Sequence, residues 1–279
     1  MAEERAERRP AGAAGQAADI DTSVAHPARV YDYWLGGSNN FPADREAAER
    51  VLAATPGLRS RVRANRAFLA RAVRYLAAEA GVRQFLDIGT GIPAADNTHQ
   101  VAQAVAPEAR IVYVDNDPIV LAHARALLAS GPHGATQYVH GDVREPAAIL
   151  QQAAQTLDFS QPIALMMLGI MGQLPDSAGP SGPRSIVTTL LGALPPGSYL
   201  ALSDGTDTSP ALNQAIAAYN QNSASSYHLR SPEEIARFFD GLTLVPPGVV
   251  TTSRWRPGLA DASAEPRVVD AICGVARKD

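Results

Sequence analysis

From residue 83 onward, short apolar runs alternate with longer amphipathic segments along the chain. The apolar runs predict strands near residues 83–88, 110–115, 136–140, 162–168 and 198–203. The amphipathic segments predict helices near residues 94–105, 118–130, 146–155, 184–194 and 209–221. Because strands and helices alternate regularly, the pattern predicts a parallel sheet with helices on both faces.

The end of the chain has a different pattern. Two apolar runs, near residues 242–246 and 268–275, flank a stretch rich in proline and glycine. They predict an antiparallel hairpin that closes the edge of the sheet. Before them, Ser231, Pro232 and Glu234 match the N-cap, the first and the third position of a helix.

The segment before the sheet is predicted to be helical. Residues 58–80 form one long helix in this interpretation, because Val62, Leu69, Val73 and Leu76 recur at helical spacing. Four arginines fall on its other side, which fits either a solvated surface or a face that holds an anionic substrate or RNA: Arg59, Arg63, Arg66 and Arg74. Upstream, a short helix is predicted to end at Gly36 and to be followed by a loop.

A glycine turn follows the first predicted strand. Gly89, Thr90 and Gly91, with the three residues after them, fit the dinucleotide fingerprint, in which bare N–H groups receive a pyrophosphate. Asp87, two residues before the first glycine, would repel a pyrophosphate. It suits a ligand that carries positive charge, such as the amine or the sulfonium of S-adenosylmethionine (SAM).

Two more carboxylates follow the next two predicted strands. Asp115 is placed to accept both hydroxyls of a ribose. Asp142, directly after Gly141, is placed to accept a hydrogen bond from an adenine amino group. Because the carboxyl ends of parallel strands meet at one edge, Asp87, Asp115 and Asp142 are expected to lie together. Without a lysine-bearing phosphate loop, this pattern favours a nucleoside that has no phosphate.

Composition narrows the class of protein further. The net charge of −4 over 279 residues argues against nucleic acid as a partner. No apolar run is long enough to span a membrane, and the N-terminus lacks the apolar segment of a secretory signal. The single cysteine, Cys273, excludes a disulfide framework, and the histidine spacing predicts no metal site. We expect a cytoplasmic protein, either a monomer or a homodimer.

The three strand-end motifs resemble the first three SAM-contacting motifs of class I methyltransferases. Further runs are similar to one family of SAM-dependent methyltransferase-like proteins, long catalogued as a domain of unknown function, and extend from about residue 23 to residue 278. These runs are 27–33, 35–37, 40–41, 44–45, 65–69, 84–89, 112–118, 238–242 and 255–257.

The resemblance implies a fold and a division of the chain. The fold is α/β, a Rossmann-like class I methyltransferase sheet of seven strands, mostly parallel with the last strand antiparallel, preceded by an N-terminal helical extension. Residues 1–22 are then a disordered tail, residues 23–80 a helical cap or lid, and residues 81–279 the SAM-binding methyltransferase domain. The resemblance does not supply the methyl acceptor.

One departure from the family pattern concerns the end of the fourth strand. Such proteins tend to carry a Leu-His pair there, whereas this chain continues from Leu168 with Gly169, Ile170, Met171 and Gly172. Since this strand end usually faces the methyl group, the missing histidine puts a general base at this place in doubt. The glycines are expected to make room for a bulky acceptor.

The predicted site follows from the motifs and from the aromatic N-terminal segment. The electron-rich rings of this segment either attract a sulfonium or pack the N-terminal helix onto the sheet. We expect the cofactor SAM to contact Asp87, Ile88, Gly89, Thr90, Gly91, Asp115, Asn116, Asp142, Val143, Leu168, Tyr31, Tyr33 and Asn40. For a hydroxyl acceptor, the candidate bases are His140 and Asp204.

These observations predict a SAM-dependent methyltransferase that acts on a small molecule, with a place in secondary metabolism. Two alternatives stay open. One is a SAM-binding protein that does not methylate and serves as a sensor or in other SAM chemistry. The other is an RNA or protein methyltransferase, against which the acidic balance counts.

Overall fold

The computed structural model describes residues 21–127, 134–176, 179, 182–221, 223, 225–258 and 268–279. Its strands are β1 (Gln84–Ile88), β2 (Arg110–Asp115), β3 (Ala135–His140), β4 (Ala164–Leu168), β5 (Tyr199–Gly205), β6 (Thr243–Leu244), β7 (Val250–Thr251) and β8 (Ala271–Arg277). Its α-helices are α1 (Pro27–Leu35), α2 (Pro42–Ala54), α3 (Leu58–Ala78), α4 (Thr98–Val105), α5 (Pro118–Leu127), α6 (Pro146–Ala153), α7 (Pro183–Gly192), α8 (Pro210–Asn220) and α9 (Pro232–Ala236).

The strands form one sheet in the order β3-β2-β1-β4-β5-β8-β6, with β7 paired to β8. Strands β1 to β5 are parallel, and β8 runs antiparallel to β5. The predicted mostly parallel α/β sheet with an antiparallel last strand is therefore confirmed. The chain continues from β1 to β2 on one side and from β4 to β5 on the other, so the order of the strands reverses between β1 and β4. A ligand is expected outside the carboxyl ends of the strands at this point.

The predicted strand count is wrong, whereas the predicted antiparallel hairpin at the edge of the sheet is present. The described residues contain eight strands rather than seven, and β8 pairs antiparallel with β6 and β7, which form the edge beside it. The run predicted as one strand near 242–246 forms only the two-residue strand β6, and β7 follows after Pro246 and Pro247. Because proline has no N–H to donate to a strand ladder, this stretch divides the pairing partner of β8 into two short pieces.

Apolar side chains cover both faces of the sheet. Leu86 and Ile88 of β1 belong to one buried cluster, whereas Phe85 belongs to a second cluster on the opposite face. This division follows from the alternation of side chains along a strand. Burial on both faces explains why β4 is wholly apolar in sequence. The buried sheet gives the loops at its carboxyl edge a rigid support.

The helix after the glycine turn begins later than predicted. Helix α4 begins at Thr98 rather than near residue 94, with Asn97 as N-cap. Pro93 and Asp96, whose φ is 57°, fall in the intervening loop, and a left-handed residue cannot continue a right-handed helix. The helix N-terminus is therefore not placed directly on the glycine turn, as a pyrophosphate site would require.

Within the described residues, three helices precede the sheet, of which α2 was not predicted. Helix α1 ends at Gly36, whose φ of 88° suits glycine. The buried carboxylate of Asp44, in the first turn of α2, accepts the backbone N–H of His26 at 2.9 Å and of Phe41 at 2.8 Å. Asp44 thereby joins the starts of α1 and α2. The three helices share a buried cluster with Tyr219 of α8.

Most of the predicted disordered tail, residues 1–22, lies outside the described residues, as does the end of the helix predicted near 118–130. The capping box of Ser231 and Glu234 at the start of α9 is present as predicted. Among the described residues, no helix is both long and apolar enough to cross a membrane.

Candidate functional site

One cavity of about 500 Å³ runs along the carboxyl ends of β1 to β5, with residues of α1 and α3 in its wall. We divide it into two parts. The β1–β3 half contains Asp87, Ile88, Gly89, Thr90, Gly91, Asp115, Asn116, Asp142 and Val143. The β4–β5 half contains Arg61, Asn65, Ser203, Asp204 and Tyr227. All predicted cofactor residues except Tyr33 and Asn40 line the cavity.

Asp87 is the most buried acid of the β1–β3 half. Its Oδ2 accepts a hydrogen bond from the Thr98 hydroxyl at 2.6 Å. Burial raises the pKa of the Asp87 carboxyl to about 6, an effect that this hydrogen bond and the charge of Arg66 offset only in part. A ligand with positive charge at this place would stabilise the ionised carboxylate, so the residues present fit the amine or sulfonium of SAM.

Asp115 is held in a fixed orientation by two backbone N–H groups. Gly91 donates to its Oδ2 at 2.7 Å, and Asp117 donates to its Oδ1 at 3.0 Å. Burial raises the pKa of Asp115 despite these bonds. Each carboxylate oxygen keeps a lone pair for a further donor, which is what a ribose diol requires.

Asp142 is engaged by a neighbouring cation. Its carboxylate accepts from the Arg144 Nε at 2.9 Å and from the Arg144 backbone N–H at 2.9 Å. The hydrogen bond from Arg144 lowers the pKa of Asp142. Asp142 is thus ionised and oriented at the rim of the cavity, where an adenine amino group has to share it with Arg144.

The N-terminal segment contributes fewer residues than predicted. Tyr31 lines the cavity, and its hydroxyl donates to the Val62 carbonyl at 3.3 Å. Tyr33 does not line it: its hydroxyl bonds to Glu49, and the Arg59 guanidinium lies 5.5 Å from its ring centre. Residues two apart on a helix point about 200° apart, so Tyr31 and Tyr33 cannot face the same cavity.

Asn40 is a packing residue rather than a cavity residue. It is buried, its Nδ2 donates to Asp32 at 2.8 Å and to the Gly37 carbonyl at 3.0 Å, and its Oδ1 accepts from Arg45. These bonds hold the loop between α1 and α2. Tyr33 and Asn40 therefore do not line the cavity that the other predicted cofactor residues line.

His26, which the sequence analysis did not select, lines the cavity and joins the N-terminal helices to the β1–β3 half. Its Nδ1 lies 2.9 Å from Oδ2 of Asp117, in the turn after β2. Burial acts to raise the pKa of Asp117, but the contact with His26, the hydrogen bond from the Ile119 N–H and the charge of Arg29 together lower it. This link places α1 against the turn that carries Asp115.

The end of β4 differs from the sequence-based expectation at one of its two glycines. Gly169 has open space beside it, with the Asn65 Nδ2 3.9 Å from the position of a Cβ. At Gly172 a Cβ would lie 2.3 Å from the Tyr227 ring. The room that Gly172 makes is therefore filled by a side chain of this protein and not left for an acceptor.

The two candidate bases lie in different places. Asp204, at the end of β5, is 3% exposed, and its carboxylate accepts from the Tyr227 hydroxyl and from the Gly205 N–H at 2.8 Å. Burial raises its pKa. His140 is exposed, does not line the cavity, and has its Nε2 3.2 Å from the Asn116 carbonyl oxygen. The geometry supports Asp204 and not His140.

Arg61 and Tyr227 are site residues that sequence reasoning missed. The four arginines that the sequence analysis selected lie on the other side of α3 from its apolar stripe, and among them Arg66 alone lines the cavity. Its guanidinium donates to the Ala95 carbonyl at 2.6 Å. Arg61 directly precedes the apolar stripe residue Val62, and an arginine at the border of a buried stripe was an available signal. Tyr227 lies between helices in an irregular segment, and no sequence pattern marks it.

Three acids at the carboxyl ends of adjacent parallel strands, next to a cavity that also reaches the ends of β4 and β5, define a class I SAM-dependent methyltransferase fold and site. A model of the S-adenosyl methyltransferase family matches residues 13–279. The chain belongs to this family. It is an enzyme with S-adenosylmethionine as its methyl donor.

Two solved structures are similar over nearly the whole chain. One is a DUF574 family protein from Streptomyces avermitilis, with 44% identity, a TM-score of 0.88, and coverage of 93% of this chain and 99% of that chain. The other is a candidate methyltransferase from Thermobifida fusca, with 42% identity, a TM-score of 0.83, and coverage of 93% and 97%.

A more distant structure shares the fold. It is the plantazolicin methyltransferase BpumL in complex with a triazolic desmethylPZN analog and SAH, with 12% identity, a TM-score of 0.51, and coverage of 90% of this chain and 95% of that chain. Comparison with curated proteins finds no match.

Proposed function

We propose that this methyltransferase binds SAM in the β1–β3 half of the cavity and transfers its methyl group to a small molecule in the β4–β5 half. The observation that carries the proposal is the continuity of one cavity from Asp87 and Asp115 to Asp204. In this arrangement Asp87 faces the charged amino-acid part of SAM, Asp115 holds the ribose diol, and Asp142 lies at the adenine.

Other predicted residues have supporting roles in the proposal. The backbone of Gly89 and Gly91 adopts φ values of 73° and 67°, which favour glycine and bring the turn close to the ligand. Ile88, Thr90, Asn116, Val143 and Leu168 complete the wall. Tyr31 of the N-terminal segment lines the cavity, and in the proposal its ring faces the sulfonium.

The size and cover of the cavity favour a small acceptor. Its volume of about 500 Å³ has to accommodate both SAM and the acceptor. Pockets that bury a single drug-sized ligand span about 300–1,000 Å³. Tyr31 and Trp34 of α1 form part of its wall, so residues 23–80 serve as a cap over the strand ends. These features fit the modification of a metabolite, as in secondary metabolism, better than of RNA or protein.

The chemistry asks little of the protein beyond alignment. The leaving group is a neutral thioether, so positioning of the acceptor supplies much of the rate enhancement. A hydroxyl acceptor also needs a proton acceptor, and Asp204 is the buried carboxylate at the right end of the cavity. Within the described residues, no cluster of His, Cys, Asp or Glu is arranged to hold a metal ion.

Calorimetry of the full chain with SAM and with NAD tests the cofactor assignment. We expect SAM to bind and NAD not to bind. Tight binding of NAD without a SAM signal would overturn the proposal.

The acceptor class is tested with SAM that carries a labelled methyl group, incubated with separated small-molecule, RNA and protein fractions of a cell extract. Label is expected in the small-molecule fraction. Label in RNA or protein would favour a macromolecular acceptor. SAM binding with no transfer to any fraction would favour the non-methylating alternative.

A further inference from the structure

The β4–β5 half of the cavity contains the half-buried Arg61, which forms no ion pair with any of the described residues. Gly205, at the end of β5, lies against the Arg61 guanidinium: a Cβ at Gly205 would lie 2.8 Å from Arg61 Nη1 and 3.4 Å from the Tyr227 hydroxyl. Arg61 therefore reaches from α3 to the end of β5. Its Nη1 is buried and has no hydrogen-bond partner within the described residues.

The neighbouring acid is unsatisfied in the same way. Oδ1 of Asp204 accepts from Tyr227 and Gly205, and the Gly172 N–H also acts to lower the pKa of this carboxyl group. Oδ2 is buried and accepts no hydrogen bond of normal geometry in the described part of the chain. Burial raises the pKa of Tyr227 well above its usual value, so Tyr227 keeps its proton and acts as a donor to Asp204. Proton acceptance in this half of the cavity is therefore left to Asp204 Oδ2.

Arg61 and Asp204 do not satisfy each other. No ion pair joins them in the described residues, and the cation whose charge acts on Asp204 is Arg230. Arg230 is itself held by the carbonyl oxygens of Met171 and Leu174, both at 2.8 Å. A buried polar atom without a hydrogen-bond partner destabilises the fold, and more so when it carries charge. Two such atoms in one cavity indicate a ligand that pairs with both.

We propose that the methyl acceptor is a small hydroxy acid whose carboxylate binds Arg61 and whose hydroxyl group donates to Asp204. The inference rests on the proposed function and specifies its acceptor. A monoanion matches the single guanidinium charge, whereas a dianionic phosphate leaves one charge unpaired. Apolar side chains around these groups fit a flat or aliphatic body between the two polar ends: Trp34, Val62, Ile170, Leu174, Ile216 and Tyr219.

The reaction then balances with the groups present. The acceptor oxygen forms a bond to the methyl carbon while the electron pair of the breaking C–S bond returns to sulfur. The hydroxyl proton passes to Oδ2 of Asp204, and Tyr227 stabilises the carboxylate from its other side. Arg61 is a binding residue in this scheme, and Asp204 is a catalytic residue.

The test uses the full chain saturated with S-adenosylhomocysteine and measures the binding of four probes by calorimetry: 4-hydroxybenzoate, benzoate, phenol and phenyl phosphate. We expect 4-hydroxybenzoate to bind most tightly and phenol to bind most weakly. Arg61→Met should weaken 4-hydroxybenzoate by roughly 10- to 100-fold, the scale of a charge-assisted hydrogen bond, and leave S-adenosylhomocysteine binding within about twofold. The affinity of Arg61→Lys for 4-hydroxybenzoate should lie between those of the wild type and Arg61→Met.

Asp204→Asn should reduce the preference for 4-hydroxybenzoate over benzoate, because the isosteric amide no longer presents an anionic acceptor to the hydroxyl. Arg63→Met is the matched control, since Arg63 is exposed on the same helix and does not line the cavity. Thermal melts establish that each variant folds. If Arg61→Met does not fold, Arg61→Lys serves the same comparison.

Each other outcome overturns a defined statement. If the wild-type chain does not bind S-adenosylhomocysteine, the proposed function fails. If it binds S-adenosylhomocysteine but neither acid, or if phenol binds as tightly as 4-hydroxybenzoate, only the acceptor class fails. If phenyl phosphate binds more tightly than 4-hydroxybenzoate, the acceptor carries a phosphate rather than a carboxylate. If Arg61→Met leaves the affinity for 4-hydroxybenzoate unchanged, Arg61 does not bind the acceptor.

Discussion

In the β1–β3 half of the cavity the acids are held by groups close to them in sequence or on adjacent strands, whereas in the β4–β5 half the charged groups keep unpartnered atoms. Asp115 accepts two backbone N–H groups, and Asp142 accepts three N–H groups of Arg144. Arg61 Nη1 and Asp204 Oδ2 are buried without partners in the described residues. The two halves thus differ in how much of their hydrogen bonding the protein itself supplies.

This difference fits the different tasks of the two halves. A cofactor that is the same in every turnover can be received by acids already oriented by the backbone, because orientation in advance lowers the cost of binding. An acceptor is recognised because it supplies the hydrogen-bond or charge partners that the site lacks. A buried charge without a partner therefore discriminates against molecules that cannot pair with it. The following predictions test this contrast, beginning with the largest expected effect.

Asp115→Ala is expected to weaken SAM binding by about 3 kcal/mol, at the upper end of the scale for charge-assisted hydrogen bonds. The mutation removes the acceptor for the ribose and also releases the N–H groups of Gly91 and Asp117. Calorimetry with SAM measures the loss. Asp142→Ala should cost less, because Asp142 shares its charge with Arg144. Unchanged affinity in Asp115→Ala would make Asp115 a purely structural residue.

Gly89→Ala and Gly172→Ala form a matched pair, because Gly89 lines the β1–β3 half and Gly172 packs against Tyr227 of the β4–β5 half. A Cβ at Gly89 would lie 2.7 Å from Ile170, at a φ of 73°, and a Cβ at Gly172 would lie 2.3 Å from the Tyr227 ring. Overpacking of this kind destabilises a fold by about 1–3 kcal/mol, so both melts should shift downward. Gly89→Ala should weaken SAM binding as well. SAM affinity should survive Gly172→Ala, and its loss there would contradict the division into halves.

The affinity for SAM should depend on pH through Asp87. Its pKa is raised to about 6 in the folded protein, so the carboxyl becomes protonated as pH falls through 6, and a cationic ligand loses its partner. Binding should be full above pH 7 and weaken by about tenfold, or about 1.4 kcal/mol, at pH 5. Asp87→Asn should make the pH dependence shallower and bind SAM more weakly at neutral pH.

The melt of Asp87→Asn provides the corresponding control on stability. A carboxyl whose folded pKa is raised costs stability once it ionises, so its contribution falls as pH rises from about 4 to 6 and is constant above. The amide carries no such cost and can still accept from Thr98. At pH 7 the variant should therefore melt no lower than the wild type. A lower melting temperature would show that the Asp87 charge is paired within the protein.

The smallest effect concerns the N-terminal helices. Tyr31→Ala should weaken SAM binding by about 1 kcal/mol, the scale of a partly buried cation–π contact. Tyr33→Ala is its matched control on the same helix and should leave the affinity unchanged. Asn40→Ala should lower the melting temperature without changing the affinity, because Asn40 supports the loop between α1 and α2. Equal losses in Tyr31→Ala and Tyr33→Ala would show that the segment acts only through packing.

The β1–β3 half could be predicted because its acids belong to short local motifs at the ends of strands. Each of Asp87, Asp115 and Asp142 directly ends or follows a strand, and parallel strands necessarily bring their carboxyl ends to one edge. Two residues predicted in the N-terminal segment do not line the cavity, for a local reason. Tyr33 and Asn40 were selected by residue type, whereas the direction of a side chain on a helix decides whether it reaches the cavity.

By itself, the sequence determined the alternation of strands and helices, the buried parallel sheet and the acids at its edge, because periodicity and strand ends are local properties. Apart from Asp204, which the sequence also selected, the residues of the β4–β5 half were decided by tertiary structure. It places Asn65 within 2.6 Å of Ser203, 138 positions away, and brings Arg61 and Tyr227 to the end of β5. Such contacts depend on how helices and irregular segments pack against the sheet, and no spacing along the chain records that packing.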